Sequence, residues 1–225
     1  MLKSALAIAA KDLHTGLARG SALVQALLLG LLIIFVFSLS QGIGETLSPQ
    51  GAAAVFWTSS AFCMVLVFTG LYAAEEANGT CIGLLLMPAP PQAVWLGKAA
   101  AGLVLLLCAQ LVFLPASVVF LGQHIGEYWL HALGTLALAD IGMAAVGSLL
   151  GALSRGRRAN ESLLSILVFP LLIPLLLAGI RMGAGAFCAD LPEGASVWPG
   201  IAAAFDALFC GAALVLFGHI YTGDD

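Results

Sequence analysis

Six long apolar runs, at roughly 21–41, 51–74, 93–122, 128–153, 161–181 and 200–221, alternate with short polar breaks along the chain. A helix needs about 20 apolar residues to cross about 30 Å of hydrocarbon, and each run reaches that length. Strands of a membrane barrel would show segments of about ten alternating residues, which are absent. With no water to pair backbone groups inside a bilayer, the runs predict six transmembrane helices and an all-α integral membrane protein of one domain, 1–225. The third run is long enough that it must tilt, kink at Pro115 or leave the membrane in part. Ahead of the first run, Leu2, Leu6, Ala9, Leu13 and Leu17 recur at helical spacing, with Lys3, Ser4, Lys11, Asp12, His14, Thr15 and Arg19 opposite and Ile8 as the one exception. This pattern predicts an amphipathic interfacial helix over 1–20, lying on the membrane surface with its lysines near anionic headgroups. A cleavable signal peptide, with its apolar region at 21–37 and a Ser38-Leu39-Ser40 cleavage site, fits less well, because the leading segment is long and itself amphipathic.

Composition agrees. Hydrophobic residues make up 61% of the 225 and charged residues 9%, with a mean hydropathy of +1.07, far from the roughly one-quarter charged residues of a soluble domain. The distribution of positive charge orients the chain. Lys3, Lys11 and Arg19 precede the first span, Lys98 closes the second loop, and Arg155, Arg157 and Arg158 fill the fourth; Arg181 alone falls on the other side. The positive-inside rule then places both termini and the 75–98 segment in the cytoplasm, with Glu45, Glu127, Asp190 and Glu193 on the outer face. The net charge of −4 carries no partner signal, and the arginine loop is explained by orientation, so nothing indicates nucleic-acid binding.

Between the second and third spans the chain reads EEANGTCIGLLLMPAPPQAVWLGK. Glu75 and Glu76 end one apolar run, Asn78-Gly79 supplies a turn, and Leu84, Leu85 and Leu86 begin a short apolar face that Pro88, Pro90 and Pro91 stop. A short surface helix suited to touching a soluble partner satisfies this pattern.

Within the spans, Asp140 is an ionisable group deep in an apolar run, where it needs a partner or a water-filled path. An interhelical hydrogen bond is the structural alternative to a functional role. Asp206 lies nearer the outer end of its span and is expected to be more readily solvated. Pro170 and Pro174, four residues apart, each remove a backbone donor, so the fifth span is expected to kink or open between Ile166 and Pro174, with Ser162 and Ser165 re-satisfying part of the backbone. Such an interruption suits a transmembrane hinge and is also an ordinary feature of membrane helices. Gly147-x-x-x-Gly151 is a small-residue packing motif.

Enzyme signatures are missing: there is no H-E-x-x-H zinc motif and no G-x-S-x-G elbow. Gly97-Lys98 resembles the end of a phosphate loop, but Gln92 replaces the first glycine and Ala99 the Ser or Thr. Cys63, Cys81, Cys108, Cys188 and Cys210 show no metal spacing, and their odd number argues against a complete set of disulfides. His14, His124, His131 and His219 lie outside the spans or near their ends, so no pair is placed to hold a haem at mid-membrane. His124 and His131, both near the outer face, remain candidates for a surface ligand, against the plainer reading of interfacial histidines wetting their polar atoms. No metal site and no catalytic set emerge.

The stretch 75–98, the span LLSILVFPLLIPLLL and the leading KDLHTGLARG resemble, in order and spacing, the CcmB haem exporter B family over essentially the whole chain. The resemblance implies an ABC-2 exporter-like permease subunit of the inner (plasma) membrane, serving cytochrome c maturation as a homodimer with two copies of the ATPase CcmA. It further implies association with CcmC and CcmD and action on the haem chaperone CcmE, with haem as a transported or handled ligand. In that picture 75–92 is the cytoplasmic coupling segment. Glu76, Gly79, Leu84, Leu85, Leu86 and Pro88 match the family pattern, with Glu75 as a second acid beside it. The chain departs from relatives at Ile82-Gly83, where a further acid often precedes the leucines, and it lacks the Trp-rich haem-binding motif of CcmC. A scaffold that joins an ATPase to a haem-handling partner without flux is the alternative function.

Overall fold

The apolar runs emerge as helices in the computed structural model, which describes residues 1–42, 46–77, 79–80, 83, 87–126, 129–153, 158–187 and 197–222. Seven α-helices are described: α1 (Leu2–Arg19), α2 (Ser21–Leu39), α3 (Pro49–Ala77), α4 (Pro91–Phe120), α5 (Trp129–Leu153), α6 (Arg158–Gly183) and α7 (Trp198–Thr222). A 3-10 turn, Ala184–Ala186, follows α6, and no strand occurs among the described residues. Five helices are long and apolar enough to cross a bilayer: α2, α3, α4, α5 and α7. In the remaining run the apolar stretch with described side chains is the shorter Val168–Gly183, so the sixth crossing rests on the sequence pattern.

At about 1.5 Å per residue, the 29 residues of α3 and the 30 of α4 each extend roughly 44 Å, well beyond the hydrocarbon they have to cross. Both are rods that overhang the bilayer. Their connection begins at Gly79, whose φ of +64° is a left-handed conformation that favours glycine. The Gly79 amide donates to the Glu76 carbonyl at 3.1 Å and Thr80 to Glu75 at 3.1 Å, which closes the end of α3. Pro90, in extended conformation, and Pro91, in the first turn, then start α4, where a proline's fixed φ and absent donor cost nothing.

Packing is achieved by seating aromatic rings on glycines. A Cβ at Gly102 or Gly147 would overlap the Phe68 ring, one at Gly151 the Tyr72 ring, and one at Gly179 the indole of Trp57. Helix α3 therefore sits at the centre, approached by α4, α5 and α6. The Gly147-x-x-x-Gly151 motif is used for this contact within one chain.

Helix α6 continues through Pro170 and Pro174, with both prolines on its exposed face and Val168, Leu172, Leu175 and Ala178 on its buried one. The missing donors thus fall away from the packed interface. Two expectations are corrected here, those for Asp206 and Lys98. Asp206 is 8% exposed rather than solvated, because α7 meets α5 at Gly142, where the absent Cβ leaves room for the carboxylate. Lys98 does not close a loop but lies within α4, fully buried.

Replacing Gly102 with valine should displace the Phe68 ring and lower stability by about 1–3 kcal/mol. A thermal unfolding midpoint of the purified protein in detergent reads this loss; an unchanged midpoint would contradict the packing described.

Candidate functional site

Helix α1 meets the bundle along Ala5, Ile8, Ala9 and Asp12, all buried, while Leu2, Leu6 and Leu17 point outward. The leucines are thus left to the surroundings, where an interfacial helix places them, and a second face meets the bundle. Lipid is as apolar as leucine, so the leucine face gains nothing by turning inward, and small residues permit the closer approach to a neighbouring helix. At Gly97 of α4 a Cβ would lie 2.7 Å from the Ala5 carbonyl oxygen and 2.9 Å from the Ile8 Cβ, which marks how tightly α1 and α4 cross.

This crossing brings Asp12 onto Lys98. The Lys98 ammonium, whose side chain has no exposed surface, stands 3.2 Å from Asp12 Oδ2 and 2.9 Å from Glu75 Oε1. It also donates to the Leu71 carbonyl at 3.2 Å and lies 4.5 Å from the centre of the Tyr72 ring. Lys11 joins from the rim, 2.9 Å from Asp12 Oδ1 and 3.0 Å from Glu75 Oε1. Two ammonium groups and two carboxylates thus form a neutral quartet linking α1, α3 and α4. Tyr72 extends it to α5: its hydroxyl is 3.0 Å from Ser148 Oγ, which donates to the Trp95 carbonyl at 3.2 Å. Burial pulls the Lys11 ammonium down, but the hydrogen bonds and charges of Asp12 and Glu75 outweigh it and leave its pKa above the ordinary 10.5. Lys11 is therefore engaged by the protein rather than extended alone toward headgroups.

The adjacent acids of the 75–92 segment are split by their position on α3. Glu75 is 3% exposed and turned into the quartet, whereas Glu76 is exposed. Gly79 and Pro88 are exposed; Leu84, Leu85 and Leu86 lie outside the described residues. Sequence reasoning missed Asp12 and Lys98 as partners, having assigned one to a polar surface and the other to a loop. The available signal was Ile8, which spoils the leucine face but completes a second face with Ala5, Ala9 and Asp12.

Elsewhere, Asp140 accepts a hydrogen bond from Gln110 Nε2 at 2.8 Å, bridging α5 and α4 at full burial. His14, His124 and His219 are exposed, and the His131 side chain lies outside the described residues. No group of three metal-ligating side chains occurs among the described residues.

These features define a multi-pass α-helical membrane protein whose two longest helices, on either side of a polar segment, are fastened together by buried charge. A family model described as CcmB protein matches residues 3–214. Heme exporter protein B of Haemophilus influenzae is 27% identical over 172 residues, covering 76% of this chain and 77% of that protein. Heme exporter protein B of Rhodobacter capsulatus is 26% identical over 220 residues, covering 93% and 97%. The chain belongs to the CcmB family.

Removing the shared cation tests the quartet directly. Lys98→Met should destabilise by about 3–5 kcal/mol, since it leaves two buried carboxylates facing Lys11 alone. Combining it with Asp12→Asn and Glu75→Gln should recover much of that loss in the same thermal unfolding assay, and a single substitution costing under about 1 kcal/mol would show the quartet to be dispensable.

Proposed function

We propose that this chain is the permease subunit of an ABC-type transporter complex of the inner (plasma) membrane, with the ABC-2 exporter architecture and both termini in the cytoplasm. It works in haem export, or in haem-chaperone release, during c-type cytochrome maturation. The energy source is a separate ATPase, CcmA, and the chain pairs as a homodimer beside two copies of it, with CcmC, CcmD and CcmE as further partners. Family membership and relatives named for haem export support the class of function.

The observation that carries the mechanical part of this reading is the quartet. A coupling segment can transmit displacement only if its ends are held by stiff elements that move together. Here the segment 75–92 springs from two overhanging helices, and Glu75 at its start is bonded to Lys98 at the base of the next helix. Asp12 adds α1 to the same joint. Force applied by an ATPase to Glu76, Gly79, Leu84, Leu85, Leu86 and Pro88 would thus reach α1, α3 and α4 as one unit. Pro170 and Pro174 provide a yielding point in α6, where two backbone donors are already missing.

Glu76→Lys is the discriminating variant, because it reverses an exposed charge and leaves Glu75 and the quartet intact. It should reduce co-purification of the ATPase at least about tenfold, equivalent to about 1.4 kcal/mol, in a permease that still unfolds cooperatively on heating. Undiminished co-purification would overturn the coupling role of the segment. In reconstituted vesicles the complete complex should move haem on addition of ATP; chaperone release without any flux would instead favour a scaffold that joins the ATPase to a haem-handling partner.

A further inference from the structure

At the end of the bundle remote from the quartet, α3, α4, α5 and the close of α6 surround a cavity of about 340 Å³. Along α3, Trp57, which lines it, stands about 27 Å from Glu75 at about 1.5 Å per residue, nearly the full thickness of the hydrocarbon. Ala53, Phe56 and Trp57, all buried, form its floor. Ile125 and Leu133, 62% and 48% exposed, form its mouth. Leu130, one turn before Leu133 on α5 and 69% exposed, carries that mouth on into the lipid-facing surface of the helix.

The walls decide what fits. No charged side chain lines the cavity, and its one polar side-chain group is the Trp57 indole N–H. An ordered water needs about 2–4 polar partners and does not find them there. A ligand bearing carboxylates, or a peptide, would leave its own polar groups unpaired against these walls. An empty cavity would deprive the lining atoms of dispersion contacts on one side. The component that surrounds the mouth of a membrane-embedded chain is lipid, and at about 30 Å³ for a water-sized group such as a methylene the cavity has room for roughly eleven carbons. The gain on filling is one of packing, since a lipid chain that enters leaves one apolar medium for another.

We infer that this cavity holds one acyl chain of a phospholipid from the leaflet opposite the quartet, entering between Ile125 and Leu133 and lying against Trp57. The inference stands apart from the transport reading, because it needs only that the chain be embedded in lipid.

Tryptophan fluorescence tests it. In the full chain carrying Trp95→Phe, Trp129→Phe and Trp198→Phe, Trp57 is the sole emitter. The protein is reconstituted into vesicles of phosphatidylcholine whose acyl chains carry two bromines at mid-chain, and into vesicles of the unbrominated lipid. Bromine quenches an indole near contact, so it should cut the Trp57 emission by at least half although the residue is only 1% exposed. Ala132→Phe puts a ring into the cavity from its partly buried wall and should return the emission to the unbrominated level. Should the triple replacement not fold, the protein with all its tryptophans serves, and Ala132→Phe should then lower the quenched share of its emission. Trp57 emission indifferent to bromine, as when the cavity is empty or is filled by a side chain of a second copy, would overturn the assignment. So would quenching that survives Ala132→Phe in a folded variant.

Discussion

A lysine ammonium without exposed surface is tolerable only where its charge is matched, and the Lys98 site meets that demand with carboxylates from two other helices. Much of the arrangement at this end of the molecule follows from it. Asp12 must turn inward, so α1 presents its small face to the bundle and its leucines to the surroundings. Glu75 must turn inward too, which leaves Glu76 as the exposed member of the pair. The Tyr72 ring covers the ammonium and carries the linkage on to Ser148 of α5. A buried quartet of this kind is a weak source of net stability, because desolvation consumes most of the attraction, but it fixes which helix ends belong together.

The helices themselves were legible. The six apolar runs and the amphipathic leader each correspond to a helix within a few residues, because hydrocarbon leaves the backbone no alternative. What the pattern did not encode is which residues those helices turn toward one another. The leucine side of α1, assigned to the membrane surface, does lie outward, but nothing in that pattern marks Ala5, Ile8 and Ala9 as the face that meets the bundle. Lys98 and Asp206 were misjudged for a related reason. Each was read as a charge seeking water near a span end, whereas Lys98 finds partners 23 and 86 positions away, a pairing that no local pattern encodes.

Away from the quartet, the interior is held by shape. Glycines at 102, 147, 151 and 179 accept the rings of Phe68, Tyr72 and Trp57, which concentrates the tightest contacts on α3. The bond between Gln110 and Asp140 is the polar counterpart in the middle of the bundle. Together these contacts make α3 a shared axle for α4, α5 and α6.

The 86 residues separating Asp12 from Lys98 also impose an order on biogenesis. At about 5–20 residues per second, the ribosome completes Asp12 roughly 4–17 s before its buried counter-ion exists. The leader helix therefore has to wait at the membrane surface, its acid still hydrated, until the fourth helix arrives. Until then Asp12 has only its neighbour Lys11 to pair with, so final docking of the first helix made becomes a late event in assembly.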